Sequence, residues 1–486
     1  MSPRPGIADL VKTWLELIAG RADSDAPAVI TENRTWSGRE LMARAAGAAD
    51  FLDVVGAPPG QPVIALLTST ADAFALMIGA ATTDRCLVPL GPRLTVSELA
   101  PCVMALPGEI IVVEAGAAEL GAQLAAQSGR RMVVIPEFAQ SSRVLPTEIG
   151  GDRPAAILHT SGTTGRPKPV SYTQGRLVAR VRVNSGLVGL GPGAVYASGS
   201  PFHHIAGLGM MFVALGSGAA LLSLPRFDVD AWRGLGGRGV THALLVPTMI
   251  EMLLAADALH LGGLRVLQYG ASPIHIDTLK RVMEVLPDVG LVNLFGQTEG
   301  SPITALTVDD HVLAIAGRPE LLASVGRAAP GVEVIIDNAG PDGIGEVLAR
   351  GEHLFLPSDD GWLHSGDLGY LDQEGYLYLS GRRGDKIIRG GENVYPVEVE
   401  NAIRTHPSVA DVCVFGLPDR KYGETVAAAV VATTGTELPA WDDLRSFVRV
   451  QLSGFKVPTR WEQIDALPRN ASGKVLRRQL IRERSE

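Results

Sequence analysis

Residues 155–168 read Ala155-Ala156-Ile157-Leu158-His159-Thr160-Ser161-Gly162-Thr163-Thr164-Gly165-Arg166-Pro167-Lys168. Residues 155–159 form an apolar run of strand length, and it opens without a spacer into a glycine loop rich in hydroxyls. Such a loop suits a polyphosphate: the glycines let backbone N–H groups converge, the hydroxyls donate, and the lysine adds positive charge. It is not the P-loop of nucleotide triphosphatases, because no Gly-Lys-Ser/Thr closes it. A flexible surface turn is the competing reading. The Ser/Thr density directly after a buried strand, and a lysine set in the stiff Arg166-Pro167-Lys168 frame, weigh against it.

On either side of this loop, short apolar strands alternate with helical stretches. Strands are expected at 62–68, 86–90, 110–113 and 132–135, with a helix at 71–81, and the order βαβ implies buried parallel strands. After a polar, proline-bearing passage at 140–154 the pattern resumes with strands at 155–159, 195–198, 242–246, 265–269 and 290–294 and a helix at 276–286. From about residue 325 the texture changes to short strands and glycine turns (332–337, 345–350, 376–380), which suits a small antiparallel β-barrel. A new α+β unit succeeds it, with helices at 396–405 and 441–452 and strands at 410–417 and 424–433. The expected fold is α/β: an N-terminal domain at 1–381 of two βαβ subdomains plus the barrel, a junction at 382–386, and a C-terminal α+β domain at 387–486.

The length of 486 residues agrees with a subdivided chain, at a prior of about 150 residues per domain. With 46% hydrophobic and 20% charged residues it can bury a large core and resembles no disordered or fibrous class. A net charge of −9 argues against a spread electrostatic grip on nucleic acid or anionic lipid, so any polyanion must meet locally placed cations. Cys86, Cys102 and Cys413 form no CxxC pair, which points to a reducing, cytoplasmic setting, and neither terminus reads as a targeting signal. No Asp, Glu, Lys or Arg lies between Arg182 and Arg226, and residues 205–224 reach the roughly 20 residues of a membrane span. Gly207, Gly209, Gly216 and Gly218 break that run, so it reads as a buried helix, a glycine turn and a buried strand, without stable membrane insertion.

Further motifs succeed the loop in order: Pro201-Phe202-His203-His204-Ile205-Ala206-Gly207-Leu208, Tyr269-Gly270-Ala271-Ser272-Pro273 and Asn293-Leu294-Phe295-Gly296-Gln297-Thr298-Glu299-Gly300. Then come His364-Ser365-Gly366-Asp367, Ser380-Gly381-Arg382, Arg389-Gly390-Gly391-Glu392-Asn393 and Pro468-Arg469-Asn470-Ala471-Ser472-Gly473-Lys474. Taken together these resemble the adenylate-forming superfamily of acyl- and aryl-CoA ligases, luciferase-like enzymes and nonribosomal adenylation domains. The pattern is nearest to the acyl-CoA synthetases, and the likeness spans nearly the whole chain.

The resemblance implies ATP- and Mg²⁺-dependent activation of a carboxylic acid as acyl-AMP with release of pyrophosphate, then thioester formation with CoA. The chemistry is mostly positioning plus neutralisation of phosphate charge. By the same resemblance, Thr160, Ser161, Gly162, Thr163, Thr164, Gly165 and Lys168 hold the phosphates, and Gly270, Ala271, Ser272, Phe295, Gly296 and Gln297 surround the adenine. Thr298 contacts the α-phosphate, Glu299 with Thr164 holds Mg²⁺, and Asp367 and Arg382 hold the ribose. Lys474 bridges carboxylate and α-phosphate as the catalytic lysine, and His204 with Ala206, Gly209 and Gly270 faces the acyl group. Arg389 and Gly391 approach the acyl centre in a second pose of the C-terminal domain, which turns about a hinge at Gly384 and Asp385.

Three departures from the pattern stand out. Gly384 replaces the usual Asp or Lys of the hinge, Pro169 replaces the glycine after the loop lysine, and the segment 351–362 is short. The segment 203–211 lacks the acid that would neutralise an amino-acid ammonium, so a hydrophobic carboxylic acid without an α-amino group is expected. No thiolation domain is read before residue 486, so free CoA is expected rather than a tethered carrier, with loading onto a separate acyl carrier protein as the alternative. A catalytically silent acyl-nucleotide binder on the same fold is the alternative of another class. Retention of Lys168, Glu299, Asp367, Arg382 and Lys474 together argues against it. A serine hydrolase is weaker still, because Gly270-Ala271-Ser272-Pro273-Ile274 lacks the second glycine of a nucleophile elbow.

Overall fold

The computed structural model describes residues 11–160, 168–390, 392–469 and 474–484. Their packing divides into two units, Met1–Glu333 with Arg350–Leu363, and Val334–Ala349 with His364–Glu486.

The first unit holds two sheets. In the six-stranded sheet the order is Arg131–Val134, Ile110–Val113, Pro62–Leu66, Cys86–Leu90, Pro154–Thr160 and Lys168–Thr173. The first five run parallel and the last is antiparallel, so the two strands flanking residues 161–167 lie together at one edge. Thr160 and Lys168 are direct partners in that hairpin, and Pro169 pairs with His159. Proline is tolerated there because Lys168–Thr173 is an edge strand, where one side of the backbone needs no ladder donor.

The nine-stranded sheet has a parallel middle, in the order Gly290–Gln297, Val266–Gly270, His242–Leu245, Val195–Ser198, Ala220–Ser223 and Pro27–Ile30. The charge-free stretch folds as expected: Ile205–Gly209 is a π-helical turn, Met210–Gly216 a buried helix, and Ala220–Ser223 a buried inner strand. Trp14 anchors this helix, its ring edge-on to Phe212 at 4.8 Å and its Nε1 donating to the Phe212 carbonyl at 2.9 Å. Among the described residues no helix is long and apolar enough to cross a membrane.

The second unit contains a four-stranded sheet, Glu333–Asp337, Gly345–Arg350, Leu363–Leu371 and Leu377–Arg382, where the small antiparallel barrel was expected. Next along the chain is a five-stranded sheet, built round the long hairpin Val409–Asp419 and Gly423–Ala432 and covered by helices Pro396–Arg404 and Trp441–Arg449. These four strands, an open sheet and not a closed barrel, thus pack with the C-terminal residues, and the chain runs through 382–386 inside one compact unit. A pivot is a partition by motion and need not coincide with a partition by packing.

Candidate active site

In open α/β sheets ligands bind beyond the carboxyl ends of the parallel strands. In the first unit those ends carry the expected loops: Ser198 leads to Pro201 and His204, Gly270 to Ala271 and Ser272, and Gln297 to Thr298 and Glu299. Backbone shape at each depends on specific residues. A Cβ at Gly270 would lie 2.5 Å from the Leu294 carbonyl, and Ala271 holds a left-handed φ of 65°, a conformation that costs a non-glycine residue about 1–2 kcal/mol. Gly296 forms the irregularity between Phe295 and Gln297 in the pairing with Gly300–Leu306, and a Cβ there would meet the Gly300 carbonyl at 2.7 Å. Phe295 is half-buried rather than core, as a stacking surface must be.

The turn at Thr298 and Glu299 is pinned by residues that sequence reading missed. The Tyr172 hydroxyl, buried on the edge strand Lys168–Thr173, donates to the Thr298 carbonyl. The Phe355 N–H donates to the Glu299 carbonyl at 2.7 Å, and His353 Nε2 to the Pro302 carbonyl at 2.8 Å. Leu354 packs so closely on Gly300 that a Cβ there would sit 2.3 Å from Cδ2. The short segment 351–362 therefore straps the Glu299 turn. Glu299 keeps a half-buried carboxylate at the tip.

The His203 and His204 rings lie against each other with centroids 4.2 Å apart and planes tilted by 42°. His203 fills the space a Cβ on Gly91 would need, 2.6 Å away, and burial followed by His204 and Arg93 pushes its pKa down to about 3. His204 is also held neutral by burial, and its Nε2 is buried without a partner. Of the two, His204 has the unused nitrogen. Ala206 is half-buried and Gly209 buried on the same turn.

In the second unit Asp367 and Arg382 are cross-strand partners, with Arg382 Nε donating to Asp367 Oδ1 at 2.9 Å. Burial raises the Asp367 carboxyl above its ordinary range against the pull of Arg382 and Lys474. The Lys474 ammonium is lowered, first by desolvation and then by Arg382, while Asp367 and Asp385 oppose. Asp385 pairs with Arg477, which also donates to Glu400 at 2.7 Å and the Val414 carbonyl at 2.8 Å. Gly384 is exposed, its φ is ordinary and no atom lies within 4 Å of a Cβ built there, so this conformation does not demand glycine. Arg389 donates to the Phe455 carbonyl at 2.7 Å and lies over the Tyr422 ring. Thr160 ends its strand half-buried and Lys168 begins the next one exposed. Ser161, Gly162, Thr163, Thr164, Gly165 and Gly391 lie outside the described residues.

Loops at the carboxyl ends of parallel strands in the first unit, and in the second a buried carboxylate paired with a partly exposed guanidinium and a desolvated lysine, are features of an adenylate-forming ligase. A family model described as AMP-binding enzyme matches residues 18–357, and one described as AMP-binding enzyme C-terminal domain matches 398–474. The chain belongs to this family of acid–thiol ligases. It is 33% identical over 489 residues to the fatty acid–[acyl-carrier-protein] ligase ScoC of Streptomyces coeruleorubidus, covering 93% of this chain and 92% of that one. The feruloyl-CoA synthase of an Amycolatopsis species is 31% identical over 461 residues, 91% of this chain and 93% of the relative. Among solved structures, ATP-bound MatB from Rhodopseudomonas palustris superposes with a TM-score of 0.88 at 27% identity, covering 98% of this chain and 99% of that one.

Proposed function

We propose that the chain converts a carboxylic acid to an acyl-CoA thioester in two steps. The carboxylate oxygen attacks the α-phosphorus of ATP and pyrophosphate leaves. The CoA thiol, giving up its proton, then attacks the carbonyl carbon of the mixed anhydride and AMP leaves. The observation that carries this reading is the braced turn of Thr298 and Glu299 at the carboxyl ends of the strands that also present Gly270 and His204.

Glu299 supplies the protein carboxylate for Mg²⁺, with Thr164 as its hydroxyl partner. Among the described residues no group of three or more His, Cys, Asp or Glu gathers. Mg²⁺ usually takes one or two protein ligands, several waters and the substrate phosphates. Asp367 and Arg382 hold the ribose and Lys474 bridges carboxylate and α-phosphate. His204, Ala206, Gly209 and Gly270 face the acyl group, and Gly384 with Asp385 is the pivot that brings Arg389 and Gly391 to the thioester step. Three buried, unpaired thiols support a cytoplasmic setting.

A second acceptor is favoured by one observation: the similarity to a fatty acid–[acyl-carrier-protein] ligase over 93% of the chain. A panel of carboxylic acids scored by pyrophosphate release, with CoA, with a phosphopantetheinylated carrier protein and with neither, tests the reading. Acid-dependent release with thioester on CoA is expected. Thioester on the carrier alone moves the acceptor assignment, and silence with every acid leaves only a nucleotide-binding protein.

A further inference from the structure

Helix Gln174–Val188 buries a charge among apolar neighbours. Arg180 is 3% exposed and shares the buried side of the helix with Leu177, Val181 and Asn184. A guanidinium stays protonated, and removing it from water is strongly unfavourable unless a counter-charge or a full set of acceptors meets it. Its Nη1 donates to the Ser301 carbonyl, which also accepts from Asn184 Nδ2 at 3.4 Å. Among the described residues no Asp or Glu pairs with it, and its Nε is buried without a partner.

The position of this cation is informative. Its Nη2 lies against Gly209, where a Cβ would come within 2.9 Å, and Ile205 Cδ1 borders the same spot. Ser301, which it holds, comes two residues after Glu299. Gln268, fully buried and two residues before Gly270 on the same strand face, has its Oε1 taken by the Tyr196 hydroxyl at 2.7 Å and its Nε2 left over. Asn184 Oδ1 is an acceptor left unmatched on the same helix as Arg180. The polar groups behind the acyl-facing segment thus have an excess of donors and of positive charge.

We propose that Arg180 is a specificity-determining residue that receives a second carboxylate at the far end of the acid, so that the preferred substrate is a dicarboxylate with an apolar middle, activated at one end. This rests on the ligase reading above and sharpens its substrate class. With no Cβ at Gly209, the guanidinium comes up against the backbone of the segment assigned to the acyl group, where it selects the group that terminates the carbon skeleton.

The test uses pairs of acids of equal length, ending in a carboxylate or in a methyl group. Each is scored by pyrophosphate release with the intact chain, with Arg180→Met and with Arg180→Lys, and folding is checked by thermal melting. The wild-type chain is expected to favour the dicarboxylate of its best-fitting pair by about 100-fold or more in kcat/KM, mostly through KM, because the methyl end leaves the buried donors unmatched. Arg180→Met should invert that preference, with Arg180→Lys in between. A wild-type preference for the methyl-ended acid at every length would overturn the assignment, as would an equal loss of both acids in Arg180→Met. If Arg180→Met does not fold, the wild-type comparison decides alone. If no acid of either kind releases pyrophosphate with the wild-type chain, the ligase reading itself has failed and the assignment falls with it.

Discussion

Tyr172 shows how a single hydroxyl can set the geometry of a catalytic turn without touching the reactants. Its donation to the Thr298 carbonyl ties the edge strand Lys168–Thr173 to the turn that presents Glu299. Tyr172→Phe should lower acid-dependent ATP/pyrophosphate exchange about fivefold, the equivalent of one neutral hydrogen bond of roughly 1 kcal/mol, with KM for ATP nearly unchanged. Unchanged exchange would reduce the contact to a packing detail. The role proposed for Lys474 is more direct. Lys474→Ala should abolish exchange yet still convert supplied acyl-AMP to thioester, and equal loss of both half-reactions would contradict its assignment to adenylation. Because desolvation and Arg382 lower its pKa, the ammonium is lost at a lower pH than in free lysine. Exchange should therefore decline on the alkaline side before the ordinary lysine range, and Lys474→Arg, which does not deprotonate, should remove that limb from the pH profile.

At the level of elements, the segment from Pro201 to Gly209 depends on one close approach. A Cβ at Gly207 would lie 2.1 Å from the Pro201 carbonyl oxygen and 2.8 Å from that of Ser200, both backbone atoms that cannot step aside. Gly207→Ala should cost about 2–3 kcal/mol, read as a fall in melting temperature, and raise KM for the acid as His204 shifts. Strands bounded by clear breakers were legible from the sequence to the residue: Cys86–Leu90, Ile110–Val113, Val195–Ser198 and Gly345–Arg350. Others ended too early in the sequence reading, among them Gly290–Gln297, which continues through the bulge at Gly296, and Leu377–Arg382, which runs into a motif taken for a junction. The candidate loops stand out in the sequence because close backbone approach demands glycine at Gly270, Gly296 and Gly300. Their supports do not. Tyr172, His353, Phe355 and Arg180 meet partners far along the chain, and nothing local announces such a contact. The available signal for Arg180 was its place between Leu177 and Val181 on an apolar helix face, with Asn184 four residues on.

For the whole molecule the central question is how the second unit serves two half-reactions. The salt bridge from Asp385 to Arg477 ties the proposed pivot to the chain that carries Lys474, three residues earlier in sequence. Gly384 stands in open space with an ordinary φ, so its freedom is not spent in the present conformation. Gly384→Pro should leave one half-reaction nearly intact and slow the other about tenfold or more, measured as exchange against thioester formation from supplied acyl-AMP. Wild-type rates in both assays would place the pivot elsewhere. The three cysteines bear on the same chemistry from another side. Cys86, Cys102 and Cys413 are all buried, and burial pushes their thiols up, to about 11 for Cys102 and about 12 for Cys413. An activated acyl group is an electrophile, and a catalyst with a reactive thiol of its own would be trapped by its own product. This chain keeps its sulfur out of the exchange, so the incoming thiol competes with water and amines but not with the protein's own sulfhydryls.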